Sequence, residues 1–542
     1  MERELRHQLE SLNDMPVTMS QPPSSSSGLL SRRAFVTAGV SAAAWAWLAR
    51  PAFAMARGPH FAAYPFSLGI ASGDPAPDGF VLWTRLAPLP FEPGGGMGTE
   101  PVPVQWVVAE DESLKKVVRH GTAQADPAWA HSVHVEVTGL RPDRWYWYRF
   151  AAGDATSPVG RTRTFPALGT LPAKLSFAFA SCQKYEVGYY TAYEHMARED
   201  IDLVVHLGDY IYEKEDSKSE AVRPHGQAEV IELDDYRKRY AIYKSDPALQ
   251  AMHAAAPWVV TWDDHEVNNN YAGAVSEDPT VDRAAFLRRR AAGYRAYYEH
   301  LPLRRSALPT GPDMLLYRRL EFGRLASFNV LDTRQYRTDQ PLGDGFQPPS
   351  PVLLDSHGTI LGERQRKWLL DGLDHSEATW NVLAQQVMMA RNDQVPGEER
   401  AYHMDKWTGY EYERQAVLRH LRERDIANPV VITGDIHTNW ANELGPDADR
   451  PDDPAVAVEF VGTSISSGGD EAKPGLDAAV VRAENPWVKF FNDERGYVRC
   501  EVTPETWRAD YRTAAYVSRP GAPVRTAASF AVNSGRPRLE PA

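Results

Sequence analysis

Two textures of hydrophobic and polar positions divide this 542-residue chain. From about Tyr64 to Pro166, the segments GFVLWTRLA, VPVQWVVAED, HSVHVEVTGL and RWYWYRFAAG alternate with period two over short runs separated by turns. That pattern predicts antiparallel strands packed as a β-sandwich. From Lys174 onward continuous apolar runs take over: KLSFAFASCQ, DLVVHLGDYIYE, PWVVTWDDHEVNNNY, RLASFNVLDTRQYR, ATWNVLAQQV, NPVVITGDIHTNW and AVEFVGTSISS. Buried strands whose exits carry Asp, His or Asn, often followed by helical sequence, predict an α/β layer with its chemistry at one sheet edge. TVDRAAFLRRRAAGYRAYYEHLP and EYERQAVLRHLRERD place apolar residues at helical spacing and leave a solvated charged face. The Pro- and Gly-containing DQPLGDGFQPPSPV and the polar KEDSKSE stretch at 214–220 predict loops, and there is no internal repeat.

Composition narrows the function classes. The length exceeds one compact core and calls for two domains or one large elaborated domain. With 59 Lys+Arg against 72 Asp+Glu, the net charge of -13 argues against general or specific nucleic-acid binding and leaves carboxylates to spare as hard-metal ligands. Two cysteines cannot form a disulfide framework. Residues 1–56 read as a signal peptide: Arg32 and Arg33 precede an apolar run that ends at the Ala-x-Ala site Ala52-Phe53-Ala54. The run from Ala34 to Ala49 falls short of the ~20 residues that span a bilayer, so no permanent membrane anchor is expected, a short tethering helix being the alternative. SRRAF resembles the twin-arginine signal, which implies the twin-arginine export machinery as partner, folding before export, and a periplasmic or secreted location. TGLRPDRWYWYRF resembles the turn and tyrosine-bearing strand of fibronectin type III-like domains, with no chemistry expected of that module.

Three strand exits gather chemistry. In GDYIYE, Gly208 lets the chain turn so that Asp209 and Tyr212 converge. WDDHEVNNN stacks Asp263, Asp264, His265 and three asparagines, a density costly to bury without a cation. GDIHTNW offers Asp435 and His437 at i, i+2, on one side of an extended segment. Any one of these alone is a capped turn, whereas three after apolar strands of one layer point to a cation site. A fourth exit, FAFASCQ, brings Cys182, which is a disulfide staple with Cys500, a packing residue or a ligand.

The order Cys182, Asp209 with Tyr212, Asp264-His265-Glu266, then Asp435-x-His437 resembles the PhoD-like alkaline phosphatases, a branch of the binuclear metallophosphoesterases. The superfamily at large opens with Asp-x-His and closes with Gly-His-x-His. This chain has Ser-Cys-Gln and Gly-Asp-Ile-His instead, departures that the PhoD-like branch shares. The resemblance implies a metallophosphoesterase-type β-sandwich flanked by helices (αββα) over 172–515, preceded by the fibronectin type III-like sandwich over 64–166 and followed by a C-terminal tail over 516–542. Thiolate and phenolate beside a carboxylate favour Fe³⁺, and an oxygen-rich companion position favours Ca²⁺; the resemblance implies the same pairing, iron with one or two calcium ions. On this reading Cys182 and Tyr212 bind iron, Asp209 bridges, and Asp264, Asp435 and His437 serve the calcium side or the bridge.

Water activated between the ions would attack the phosphate in line, with no protein nucleophile. His265 either protonates the leaving oxygen or orients Asp264. Asn269 is a candidate phosphate or calcium contact, with Asn268 and Asn270 as alternatives. Arg334, in LDTRQYR, either grips two phosphate oxygens or forms a surface salt bridge. His206 reads as a satisfied core histidine rather than a ligand. Asp405 and Trp407, in HMDKWTGYEYER, either line the pocket or pack a loop.

The leading expectation is an exported phosphatase that hydrolyses phosphate mono- and diesters at alkaline pH. A phospholipase D-type phosphodiesterase is the rival, because the loop from Gln340 to His357 would set substrate shape. A non-catalytic exported binding protein would have lost ligands, and every motif here is filled. A disulfide-stapled protein without metal would have Cys182 and Cys500 both blocked, whereas Cys500, on the alternating GYVRCEV, packs most simply in a core.

Overall fold

All seven apolar runs become strands, and they divide between two sheets. The computed structural model describes residues 60–215, 221–446, 450, 453–470 and 478–542. The expected signal peptide, and 216–220 of the KEDSKSE loop, lie outside the described residues. Leu175–Ala180, Leu203–His206 and Trp258–Val260 are parallel neighbours in the first sheet. Ala326–Val330, Trp380–Ala384, Pro429–Thr433 and Ala457–Val461 are parallel neighbours in the second.

Alternate side chains of each strand serve different cores. Phe177 and Phe179 join Val205, Phe328, Val382, Ile432 and Phe460 in one buried cluster between the sheets. Ala178, Val204 and Trp258 pack instead with the helices Leu233–Lys244, Pro247–Ala255 and Arg283–His300. Leu383 and Val431, on the far side of the second sheet, pack with the helices Gly362–Asp374 and Glu411–Glu423. Strands covered on both faces need no polar side, which is why their sequences run apolar without alternation.

The region 64–166 does not keep to a sheet of its own: Ile70–Ala76, Gly79–Arg85 and Ser132–Val137 continue the first sheet, with Gly73 opposite Trp258. Its other strands form a separate five-stranded sheet, and Ile70, Phe80 and Leu82 share a core with Val104, Val108, Tyr148 and Phe150. Nor is 516–542 a tail. Val524–Asn533 pairs antiparallel with Thr506–Ala514 and buries Phe530 and Val532 between the sheets. Its run of alanine and serine mutes the alternation, so the pairing shows only in three dimensions.

The register of Gly496–Val502 settles the cysteines. Cys500 lies opposite Phe177 in the core, while Cys182 is five residues farther along that strand's direction, roughly 16 Å away at strand rise. A disulfide needs Cα atoms within about 7 Å. Both thiols are free.

Candidate metal centre

Cys182, Asp209, Asp435 and His437 share an uncommon backbone. Their φ angles are 60°, 56°, 64° and 61°, the left-handed region that side chains other than Gly seldom adopt. Each follows a parallel strand, so the chain turns sharply and directs the side chain across the sheet ends. Strain of this kind persists only where neighbouring structure enforces it, and it concentrates at functional sites.

The enforcing contacts are close. Gly208, at φ +106°, has no room for a side chain, because a Cβ would sit 2.4 Å from that of Asp263 and 2.5 Å from its nitrogen. Buried Glu266 accepts from the backbone N–H groups of Asp209 (3.1 Å), Tyr210 (2.5 Å) and Asp263 (2.8 Å), tying two strand exits together. Cys182 N donates to Gly208 O at 3.1 Å, and Ser467 Oγ donates to Cys182 O (2.7 Å) and lies 2.8 Å from the Tyr212 hydroxyl.

Three overlapping sets of ligand atoms result, each within 4.8 Å of one another: Cys182, Asp209 and His437; Asp209, Asp264 and His265; Asp263, Asp264 and Asp435. The Tyr212 hydroxyl enters the first set, donating to Asp209 Oδ2 at 2.9 Å and lying 3.1 Å from His437 Nε2. Cys182, Asp209, Tyr212 and Asp264 are no more than 3% exposed. Asp209 Oδ1, Asp263 Oδ2 and Asp264 Oδ1 are buried without a hydrogen-bond partner. Burial, followed by repulsion from Asp209, Asp435 and Asp263, pushes the Cys182 thiol well above its ordinary range. Burial, then Asp209 and Cys182, do the same to the Tyr212 phenol. Orphaned anionic oxygens beside a soft thiol and a phenol are a donor set that fits polyvalent cations. Asp263, which motif comparison left unassigned, belongs to this set.

His265 has a partner the sequence reading passed over. Its Nδ1 lies 2.6 Å from Oε2 of Glu213, a fully buried carboxylate whose other oxygen accepts from Asn269 N at 2.8 Å. Burial alone would lower the His265 pKa, but Glu213, Asp209 and Asp264 outweigh it and raise it well above 6.5. Burial would likewise raise the Glu213 pKa, but His265 and the Asn269 amide bring it down to about 2. The imidazole ring also lies 4.1 Å from that of Tyr212. Glu213 closes the GDYIYE motif one residue after Tyr212; the motif was legible, the pairing was not.

Several other residues sit differently from expectation. Arg334 is 0% exposed, so it forms no surface salt bridge, and it does not stand open to a substrate. Its Nε donates to Asp263, its Nη1 to Asp405 at 2.8 Å, and its Nη2 lies 2.8 Å from Asp405, 3.6 Å from Asp264 and 4.0 Å from Asp435. A guanidinium with that many carboxylates around it is committed to holding them. The Asn269 amide donates to Glu277 at 2.7 Å, Asn268 accepts from Ser276, and Asn270 N donates to Asp264 Oδ2 at 2.7 Å. His206 is buried as expected, yet neither ring nitrogen has a hydrogen-bond partner, so it is not a satisfied core histidine. Asp405 joins the centre through Arg334, and Trp407 is anchored to Gln385 at 3.0 Å. Lys406, between them, contacts Asp435.

Comparison with known proteins converges on one family. The family model for PhoD-like phosphatase matches residues 177–511, which contain every strand exit just described, and the model for the PhoD-like phosphatase N-terminal domain matches 52–166. The chain belongs to the PhoD-like phosphatase family. Alkaline phosphatase D of Bacillus subtilis (strain 168) is 54% identical over 484 residues, spanning 88% of this chain and 82% of that protein. A solved structure described as the structure of PhoD superposes with a TM-score of 0.86 at 52% identity, covering 89% of this chain and 93% of that one. As a PhoD-like phosphatase the chain is a phosphoric ester hydrolase, and among its described residues no helix is long and apolar enough to cross a membrane.

Proposed function

We propose that this phosphoric ester hydrolase is an exported, metal-dependent enzyme that cleaves phosphate monoesters and diesters at alkaline pH. The observation that carries the reading is the convergence of Cys182, Asp209, Tyr212 and His437 beside the Asp263, Asp264 and Asp435 carboxylates. Thiol, phenol and imidazole donors around Asp209 suit Fe³⁺, and the three carboxylates suit Ca²⁺. Cys182, Tyr212 and His437 would hold iron, Asp209 would bridge, and Asp264 and Asp435, joined by Asp263, would hold calcium. This reading takes His437 from the calcium side or the bridge to the iron side, a change that its 3.1 Å approach to Tyr212 supports. Bound metal ions supply an activated water nucleophile near neutral pH and neutralise the phosphoryl oxygens.

The protein's own groups do the rest. Glu213 keeps His265 protonated, ready to deliver a proton to the departing alkoxide. Arg334 keeps Asp263 and Asp405 in place. Asn269, half-buried and with one amide N–H on Glu277, would offer the other to a phosphate oxygen. The relative's activity as an alkaline phosphatase, the Arg32-Arg33 signal and the two facing sheets, read as the metallophosphoesterase sandwich behind a fibronectin-like module, all support this assignment.

Metal analysis with a visible spectrum tests the centre. The wild type should carry iron and calcium and show a phenolate-to-iron band that Tyr212→Phe loses. A colourless, iron-free active enzyme would overturn the metal assignment. Turnover of a monoester, a diester and a phosphatidylcholine emulsion tests the substrate class; hydrolysis of the emulsion alone would assign a phospholipase D-type enzyme instead.

A further inference from the structure

The open side of the centre is marked by residual exposure. Side chains of Cys182, Asp209, Tyr212, Asp263, Asp264 and Arg334 are nearly or fully enclosed, whereas His437 is only partly buried and those of Lys406, Asp435 and His265 are 11%, 16% and 18% exposed. A phosphate ester must enter along that side. Arg334, the cation expected to receive it, is behind the carboxylates and fully committed to them. Lys406 is in front of them, its ammonium on Asp435 Oδ2.

The backbone that carries Lys406 is fixed from both flanks. Asp405 is gripped by Arg334, by Arg337 Nη1 (2.7 Å) and by Gln340 Nε2 (2.6 Å), and Trp407 is buried and bonded to Gln385. Lys406 N itself donates to His403 O at 3.4 Å. A flexible four-carbon stem on so rigid a base can move its head group a few ångströms without moving the chain. Asp435 belongs to the carboxylate set that fits a cation. An ammonium has three N–H donors, so one seated on this carboxylate would keep donors for a phosphate at the mouth of the site, the more so were Asp435 to serve a metal ion.

We propose that Lys406 is a substrate-binding residue: its ammonium, held against Asp435 at the exposed side of the centre, donates to a phosphoryl oxygen of the bound ester. The proposal rests on the phosphoesterase reading and deepens it, giving the enzyme a cation of its own on the exposed side of the carboxylates. Such a pre-positioned charge acts on the oxygens that gain negative charge during transfer.

Lys406→Met and Lys406→Arg test it. In the metal-loaded protein, calorimetric titration with inorganic phosphate should show a Kd raised roughly 10- to 100-fold in Lys406→Met and partly restored in Lys406→Arg, at unchanged metal content. The loss in kcat/KM on a monoester should be about 10²- to 10³-fold, the scale of one lost donor to a developing oxyanion. Chelator-treated Lys406→Met should take up calcium more tightly than wild type, because no ammonium competes for Asp435. Phosphate binding as tight as wild type, or a loss that follows lost metal, would overturn the role of Lys406 alone. A metal-loaded wild type that neither binds phosphate nor hydrolyses an ester overturns the phosphoesterase reading beneath it. Unfolding midpoints of the three proteins, expected within a few degrees, separate either result from misfolding.

Discussion

The 2.6 Å contact between Glu213 and His265 fixes what the imidazole can donate. Glu213→Gln keeps the shape and the bond to Asn269 N but removes the charge that stabilises the imidazolium. We expect kcat to fall roughly 10²-fold on an alkyl phosphate, whose leaving alkoxide needs a proton, and by much less on a nitrophenyl phosphate, whose phenolate leaves unaided. Equal losses on both would assign His265 to orienting Asp264 instead. His206 supplies a pH prediction away from the metal centre. Burial without a partner lowers its pKa from 6.5 to about 3, so the unfolded chain takes the proton first as pH falls. Its contribution is complete above pH 6.5 and is lost between 6.5 and about 3, which amounts to about 2 kcal/mol at pH 5. His206→Leu should flatten that acid limb in denaturant titrations at pH 7 and pH 5. Arg334→Met would leave Asp263 buried without its counter-charge and Asp405 with Arg337 alone, a change that costs about 3–5 kcal/mol and should be read as a lowered unfolding midpoint.

At the scale of elements, turns govern where the chemistry lands. Gly208→Ala would drive a Cβ into Asp263 at a φ that only glycine adopts easily, so the variant should retain secondary structure by circular dichroism while losing most of its bound metal. This also explains what the sequence made readable. Strand exits rich in Asp, His and Asn follow apolar runs, so Cys182, Asp209, Tyr212, Asp264, Asp435 and His437 were visible as a group before any coordinates. The left-handed backbone of Cys182, Asp209, Asp435 and His437 was not, because nothing in a Cys or His residue asks for it; the surrounding contacts impose it. Pairings across long separations were equally silent: Glu213 with His265, Arg334 with Asp405, and Lys406 with Asp435 join residues that no local pattern relates. The same holds for sheet edges. Ile70–Ala76 and Val524–Asn533 look like a separate module and a tail until they are seen to extend the first sheet at its two sides.

For the whole molecule, that ten-stranded sheet makes stability a shared property of distant segments. Truncation before Val524 would uncover Trp507 and Tyr511 and leave Thr506–Ala514 as an open edge, so the shortened protein should be recovered as aggregate. Chelation of metal from the intact protein should lower its unfolding midpoint by an amount that grows with the metal concentration used before removal. The sheet also orders events in time. The strand that carries Cys182 is flanked on one side by Leu203–His206 and on the other by Gly496–Val502, and Ser176 bonds Arg499 across 323 residues. At ribosomal speeds of 5–20 residues per second, the first half of the site waits on the order of a minute for its last neighbour. A nascent chain therefore cannot give the Cys182 strand its second neighbour before Val502 is made, and a polypeptide cut short ahead of that point lacks one wall of the site. The late arrival of Gly496–Val502 is in this way written into the fold as a checkpoint.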